Sequence, residues 1–348
     1  MYYLKYRPKT ISEIDNSRVK TMLQKTIQLK EIPHALLFVG QKGTGKTSSA
    51  RIFSKAVNCL KNKFSTKSSE FEPCNTCANC LSIDNSTFTD VLEMDAASNR
   101  GIEDVKNLIK ETSFLPMMGN YRVFIIDEAH MITTEGFNAL LKTLEEPPKT
   151  VIFILATTNL EKLPKTIISR CIKVNFGKAK KQDIINMLKR IRKIEKLDIK
   201  DEILEIISQH SDYSFRDATK LLEEIINQKL VSSEEVDKYL GIRGKNNLLL
   251  NIEKKGAKET LKWIDEFAQG GGNFKSLLED LLEKLRIILL QNKGIQEEDE
   301  KYDSSLTMSE TKLLIKLLME EYNQLKSTPI ESLPLEIALL EFYNIKEK

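Results

Sequence analysis

At 348 residues the chain has room for two or three domains, and its 41% apolar and 30% charged residues are ordinary for a globular protein. No apolar run approaches the ~18–20 residues of a membrane span, and the N-terminus lacks a signal core, so a cytoplasmic protein with no membrane partner is expected. Net charge is only +3 but uneven: residues 1–60 hold eleven Lys/Arg against three Asp/Glu, and residues 271–348 hold ten against fifteen, which suits a polyanion at one end or simply a solvated basic face.

The chain opens with a Pro-containing arm. An amphipathic helix is predicted near 17–30, with Val19, Met22, Leu23, Thr26 and Ile27 on one face. Residues 35–39, Ala-Leu-Leu-Phe-Val, read as a buried strand. Then comes Gly40-Gln41-Lys42-Gly43-Thr44-Gly45-Lys46-Thr47, which fits G-x-x-x-x-G-K-[ST], and a helix over 47–56. Strand, glycine loop and helix form a phosphate cradle. Backbone N–H groups and the helix dipole face the polyphosphate, Lys46 reaches the β/γ-phosphates, and the Thr47 hydroxyl binds Mg²⁺.

Residues 58–80 read as an insertion with a polar loop at 61–69. Cys74, Cys77 and Cys80 stand at C-x₂-C-x₂-C spacing, with Cys59 upstream. Four thiolates suit tetrahedral Zn²⁺, and with no open position the site reads as structural. Reduced, unligated cysteines and an iron–sulfur cluster are the alternatives.

A short strand at 91–94 leads to a small polar loop and a helix over 102–111, whose Glu103 and Asp104 suit its dipole. Arg100 in that loop either contacts phosphate backbone or belongs to a cap. A third strand, 121–126, delivers Asp127 and Glu128 to the carboxyl edge of a sheet, where ligands of open α/β sheets bind. There Asp127 would hold Mg²⁺, usually through water, and Glu128 would orient and deprotonate the attacking water. A helix over 135–145 ends at Pro147-Pro148. After a fourth strand, 151–156, Thr157-Thr158-Asn159 touches the γ-phosphate or the attacking water, or is ordinary turn chemistry. A fifth strand near 172–176 completes a parallel sheet.

From Lys178 the pattern is helical: 181–196, 201–210, 216–227 and 233–240, a joint at Gly241-Ile242-Arg243-Gly244, then 245–255 and 258–269. A Gly270-Gly271-Gly272 break precedes helix 274–292, an acidic loop at 297–300, and helices 309–325 and 334–344. Three domains are expected: 1–177, nucleotide-binding α/β with a cysteine insertion at about 58–81; 178–241, a helical lid; and 242–348, all-helical.

These residues resemble the γ/τ subunits of bacterial DNA polymerase III, the motors of the replicative sliding-clamp loader. The resemblance is carried by Lys5-Tyr6-Arg7-Pro8, the phosphate loop, the four cysteines, Asp95-Ala96-Ala97-Ser98-Asn99, Ile126-Asp127-Glu128-Ala129-His130, residues 138–148 and 153–158, Ser169-Arg170-Cys171 and Ser214-Phe215-Arg216-Asp217. It is dense over residues 1–220 and thinner in the tail. It implies an AAA+ P-loop NTPase with an all-α lid and an all-α collar, and ATP, Mg²⁺ and Zn²⁺ as cofactors. It also implies residue roles. Arg170 would be an arginine finger acting in trans, Arg216 a γ-phosphate sensor in its own subunit, and Thr158 the polar sensor, with Thr157 the alternative. Tyr6, Arg7 and Pro8 would lie along the adenosine. Implied partners are δ- and δ′-type subunits and further copies in a ring, the sliding clamp, and primer–template DNA held without regard to sequence.

Two departures from the family pattern stand out. Tyr213 stands where the family usually has Gly, and Asp15-Asn16-Ser17 replaces Val-Gly-Gln on the adenine side. The sequence stops at the collar, so a γ-length product is expected.

Overall fold

Three of the predicted strands are nearly continuous apolar runs, as strands buried on both faces require. In the computed structural model, which describes residues 1–29, 32–62, 71–239, 245–269, 272–294, 304–326 and 328–346, they become the centre of a five-stranded sheet. The strands are β1 (Ala35–Gly40), β2 (Val91–Asp95), β3 (Arg122–Asp127), β4 (Val151–Thr157) and β5 (Ile172–Gly177). They run parallel in the order β2-β3-β4-β1-β5.

Strand alternation sends successive side chains to opposite layers. Leu36, Phe38, Val123, Ile125, Ile152 and Ile154 meet Ile52, Phe53, Ala56 and Val57 of helix Lys46–Asn58 and Val19 and Leu23 of helix Ser17–Ile27. Leu37, Phe124, Ile126, Phe153 and Leu155 meet Val105 and Leu108 of helix Ile102–Glu111 and Phe137 and Leu140 of helix Thr134–Glu145. The result is a three-layer α/β/α sandwich. Because β4 lies between β1 and β3, the carboxyl ends of these three strands converge on one edge, and that edge carries the site.

The chain divides into two units, Met1–Val231 and Ser232–Lys348. The first contains the sandwich and three further helices, Lys181–Glu195, Asp201–Gln209 and Phe215–Asn227, which bury Ile184, Leu188, Ile203, Ile207, Leu222 and Ile225 among themselves. The second is helical throughout its described residues. Its core joins Leu278, Leu281, Leu285, Leu314, Leu318, Leu335, Leu339 and Phe342. There the buried Tyr343 hydroxyl stands 2.9 Å from Thr260 Oγ1 and donates to the Lys255 carbonyl at 3.2 Å.

Element ends fall within about three residues of the expectation. Most of the predicted polar loop at 61–69, the joint at 241–244, Gly270 and Gly271, and the acidic loop at 297–300 lie outside the described residues.

Candidate active site

The phosphate loop is shaped by two glycines that no side chain would replace cheaply. Gly43 and Gly45 sit at φ +79° and +94°, the left-handed region. A Cβ at Gly43 would also stand 1.9 Å from Ser214 Oγ, so the loop is in direct contact with the start of helix Phe215–Asn227. Lys46 is buried, and its ammonium donates to the carbonyls of Gly40 and Gln41, both at 2.9 Å. Burial lowers its pKa, with the carboxylates of Glu128 and Asp127 acting the other way. Thr47 Oγ1 donates to Asp127 Oδ2 at 2.6 Å. A hydroxyl and a carboxylate side by side are the hard oxygen donors Mg²⁺ takes, so these two residues fit the ion.

Glu128 follows β3 in a left-handed conformation, φ +47°. Its Oε2 accepts from Thr158 Oγ1 at 3.0 Å and lies 3.4 Å from His130 Nδ1. The two adjacent threonines are thereby separated. Thr158 turns out toward Glu128, while Thr157 is buried and its Oγ1 lies 3.1 Å from His130 Nδ1 and bonds the backbone of Asn159.

A cleft opens between the loop and helices Lys181–Glu195 and Phe215–Asn227. Tyr6, Arg7 and Pro8 line it, with Lys42 to Ser49, Asp127, Glu128 and Arg216. Arg216 N–H reaches the Gly43 carbonyl at 3.4 Å. Burial lowers the Arg7 pKa, and the nearby cations Arg51 and Arg216 add to this. Arg51 is neutralised by Glu93 through two 2.6 Å bonds. Among the described residues neither Arg7 nor Arg216 is within ion-pair distance of a carboxylate. Two guanidiniums without a carboxylate partner, lining one cleft with Lys46, are an arrangement for a polyanion.

Sequence reasoning missed Tyr3, Ile14, Met187 and Thr219, which also line the cleft. They come from four separate segments, so no local pattern marks them. Arg170 lies elsewhere. It follows helix Lys165–Ile168, pairs with Glu145 at the end of helix Thr134–Glu145, and donates to the Thr166 carbonyl at 2.9 Å. It is not among the residues lining its own chain's cleft.

The four predicted cysteines come together. The sulfurs of Cys59, Cys74, Cys77 and Cys80 all lie within 4.8 Å of one another. Four thiolates about 2.3 Å from one zinc stand about 3.8 Å apart, so the donor set fits that ion. Burial opposes ionisation of Cys74. The Thr76 hydroxyl and the N–H groups of Thr76 and Cys77 outweigh it and bring the thiol down to about 6. Burial pushes the thiols of Cys59 and Cys80 up. Cys59 immediately follows the helix that begins at Lys46. Cys171, outside the cluster, is pushed up to about 12 by burial.

Comparison with known proteins decides the family. The DNA polymerase III subunit gamma of Buchnera aphidicola subsp. Baizongia pistaciae is 32% identical over 369 aligned positions, covering 99% of this chain and 96% of that protein. The chain belongs to the DNA polymerase III gamma/tau family. DNA polymerase III subunit tau of Bacillus subtilis is 38% identical over 83% of this chain but 51% of its own length, so the chain spans about half of that relative. Residues 15–180 match the family described as DNA polymerase III, delta subunit. Among solved structures, the RuvB Holliday junction branch migration motor of Thermotoga maritima has a TM-score of 0.50 at 19% identity, covering 77% of this chain and 86% of that one. That likeness is of fold, the AAA+ P-loop NTPase fold.

The two segments singled out in the sequence have visible consequences. Tyr213 is held at φ +56°, a region that L side chains enter at a cost of about 1–2 kcal/mol. Its ring receives Lys178 Nζ at 4.8 Å from the centroid. In the Asp15-Asn16-Ser17 segment, Asp15 pairs with Arg190 at 3.0 Å, and Asn16 caps helix Ser17–Ile27 while donating to the Phe176 carbonyl at 2.9 Å. Burial raises the Asp15 pKa against the opposing pull of Arg190.

Proposed function

We propose that the chain is the ATP-hydrolysing motor subunit of a bacterial replicative clamp loader. ATP binding and hydrolysis would drive loading of a sliding clamp onto primer–template DNA within the polymerase III holoenzyme. The observation that carries this reading is the convergence of Lys46, Thr47, Asp127 and Glu128 on one sheet edge beneath Arg216. Family membership supplies the context.

The residues divide the work. The N–H groups of the loop after Gly40 cradle the phosphates, and Lys46 exchanges its two carbonyl partners for β/γ-phosphate oxygens. Thr47 and Asp127 would hold Mg²⁺, which would supply charge neutralisation for the bound triphosphate. Glu128 takes the proton of the attacking water, and Thr158 holds Glu128 and the γ-phosphate in register. Arg216 senses the γ-phosphate from the lid. Tyr6, Arg7 and Pro8 run beside the adenosine. Arg170 belongs to the neighbouring subunit's site, and its place outside its own cleft supports that assignment. The four cysteines hold a structural zinc, and residues 242–348 join subunits into a ring with δ- and δ′-type partners.

The test is clamp loading by the reconstituted complex on primed DNA, with wild-type chain and with Lys46→Ala. Loading that survives Lys46→Ala removes this reading. A second reading, an assembly subunit that binds nucleotide without turnover, draws on the delta-subunit description of the matching family. The intact Lys46, Thr47, Asp127 and Glu128 weigh against it, and turnover by the complex would end it.

A further inference from the structure

Residues 1–8 do more than lead into the sandwich. Tyr2 N–H donates to Glu223 Oε2 at 2.9 Å, and Lys5 and the Tyr6 hydroxyl both reach Glu195. The arm therefore lies across helices Phe215–Asn227 and Lys181–Glu195. Between these anchors Tyr3 faces Arg216 and Lys220, which share one face of helix Phe215–Asn227 at i, i+4 spacing. Arg216 Cζ stands 5.0 Å from the Tyr3 ring centroid and Lys220 Nζ 5.9 Å. Tyr3 and Arg216 both line the nucleotide cleft.

We propose that Tyr3 is a positioning residue for Arg216, holding its guanidinium at the cleft with its N–H donors unspent. The inference rests on reading Arg216 as the γ-phosphate sensor. Its physical basis is what each kind of partner consumes. A carboxylate partner takes up N–H donors and neutralises the charge, as Glu145 does for Arg170. An aromatic face within about 6 Å attracts the cation while leaving all five N–H donors and the full charge for a phosphate. Tyr3 therefore orders a long side chain before the nucleotide arrives and lowers the entropy cost of engaging the terminal phosphate.

The test is equilibrium binding of a non-hydrolysable ATP analogue and of ADP to the whole chain, by titration calorimetry. Tyr3→Leu should weaken the analogue about fivefold and leave ADP unchanged. Tyr3→Phe should bind both as wild type does. Tyr3→Leu combined with Arg216→Ala should bind the analogue no more weakly than Arg216→Ala alone. Equal weakening of analogue and ADP by Tyr3→Leu, failure of Phe to substitute, or additive losses in the double variant would each overturn the proposal. If Arg216→Ala leaves the triphosphate preference intact, the sensor reading falls and takes the proposal with it. If Arg216→Ala abolishes that preference while Tyr3→Leu is neutral, the positioning role alone falls.

Discussion

Thr47 and Asp127, eighty residues apart in sequence, are joined by a 2.6 Å hydrogen bond across the edge of the sheet. The bond exists because β1 and β3 flank β4 in parallel, so the phosphate loop and the acidic pair leave the same edge. One residue beyond, Glu128 is held by Thr158 instead of by the phosphate loop. On the proposed function, binding and bond cleavage would fall to different carboxylates.

Glu128→Gln should accordingly retain nucleotide and lose turnover. The amide keeps the shape and the Thr158 contact but takes no proton, so hydrolysis by the assembled complex should fall about 10²–10⁴-fold. Single-turnover hydrolysis with binding measured in parallel checks this. Loss of binding to the same extent as turnover would mean that Glu128 acts on the bound state.

The cysteine cluster stands at the far end of the helix that begins with Lys46, so its loss should be felt at the phosphate loop. Purified chain should carry one zinc, read by atomic emission. Stripping it with a chelator, or Cys80→Ser, should lower the unfolding temperature and weaken nucleotide binding. Lys55 ties this module to the helix through a 2.8 Å ion pair with Asp84 and a 2.7 Å bond to Asn75. A metal-free chain with unchanged unfolding temperature would contradict a structural zinc.

Tyr213 offers a test of backbone strain. At φ +56°, Tyr213→Ala keeps the strained conformation and loses the ring, whereas Tyr213→Gly loses the ring and relieves the strain. The glycine variant should be more stable than the alanine variant by about 1 kcal/mol, the reverse of the order at ordinary sites. Denaturant midpoints of the two variants decide it, and an alanine variant as stable as the glycine one would refute the strain.

Glu310 supplies a pH-dependent contribution in the second unit. Its carboxylate accepts from the Thr307 hydroxyl and N–H, both at 2.7 Å, and pairs with Lys346 at 3.0 Å. The Thr307 bonds, with Lys346, bring its pKa from 4.5 down to about 2. A depressed carboxylate stabilises the fold fully above its unfolded value and stops doing so as pH falls through its folded value. Glu310→Gln should therefore cost about 1 kcal/mol at pH 7, with the gap closing between pH 4.5 and 2. Unfolding midpoints that differ by a constant amount across that range would contradict the pairing.

Much of the fold and site is legible in the sequence, for identifiable reasons. β1, β3 and β4 are apolar runs ending in Gly40, Asp127 and Thr157, so both the strands and the residues they deliver could be read locally. The order of the strands could not, and it is the order that joins Thr47 to Asp127. Helix Ala78–Asp84, which begins inside the cysteine insertion, has no sequence signal because seven residues carry too little periodicity. The turn Tyr2–Lys5 is held by Glu223, 221 residues away, and has no local signal. The sequence leaves Thr157 and Thr158 as alternatives. Strand alternation, which buries one and turns the other toward Glu128, is the signal that separates them. Asp90, just before β2, carries no sequence signal of its role. It is fully buried and accepts from the N–H groups of Met117, Met118 and Gly119, an arrangement that only tertiary structure reveals.

The central claim is that each cleft is half a site, completed by Arg170 from a neighbour. Its most direct test is ATP turnover by the reconstituted complex with clamp and primed DNA, compared with the isolated chain and with a complex carrying Arg170→Ala. The account predicts weak turnover alone, strong stimulation on assembly, and a loss on the order of 10³-fold or more in the Arg170→Ala complex while each chain still binds ATP. Full stimulated turnover in the Arg170→Ala complex would contradict it.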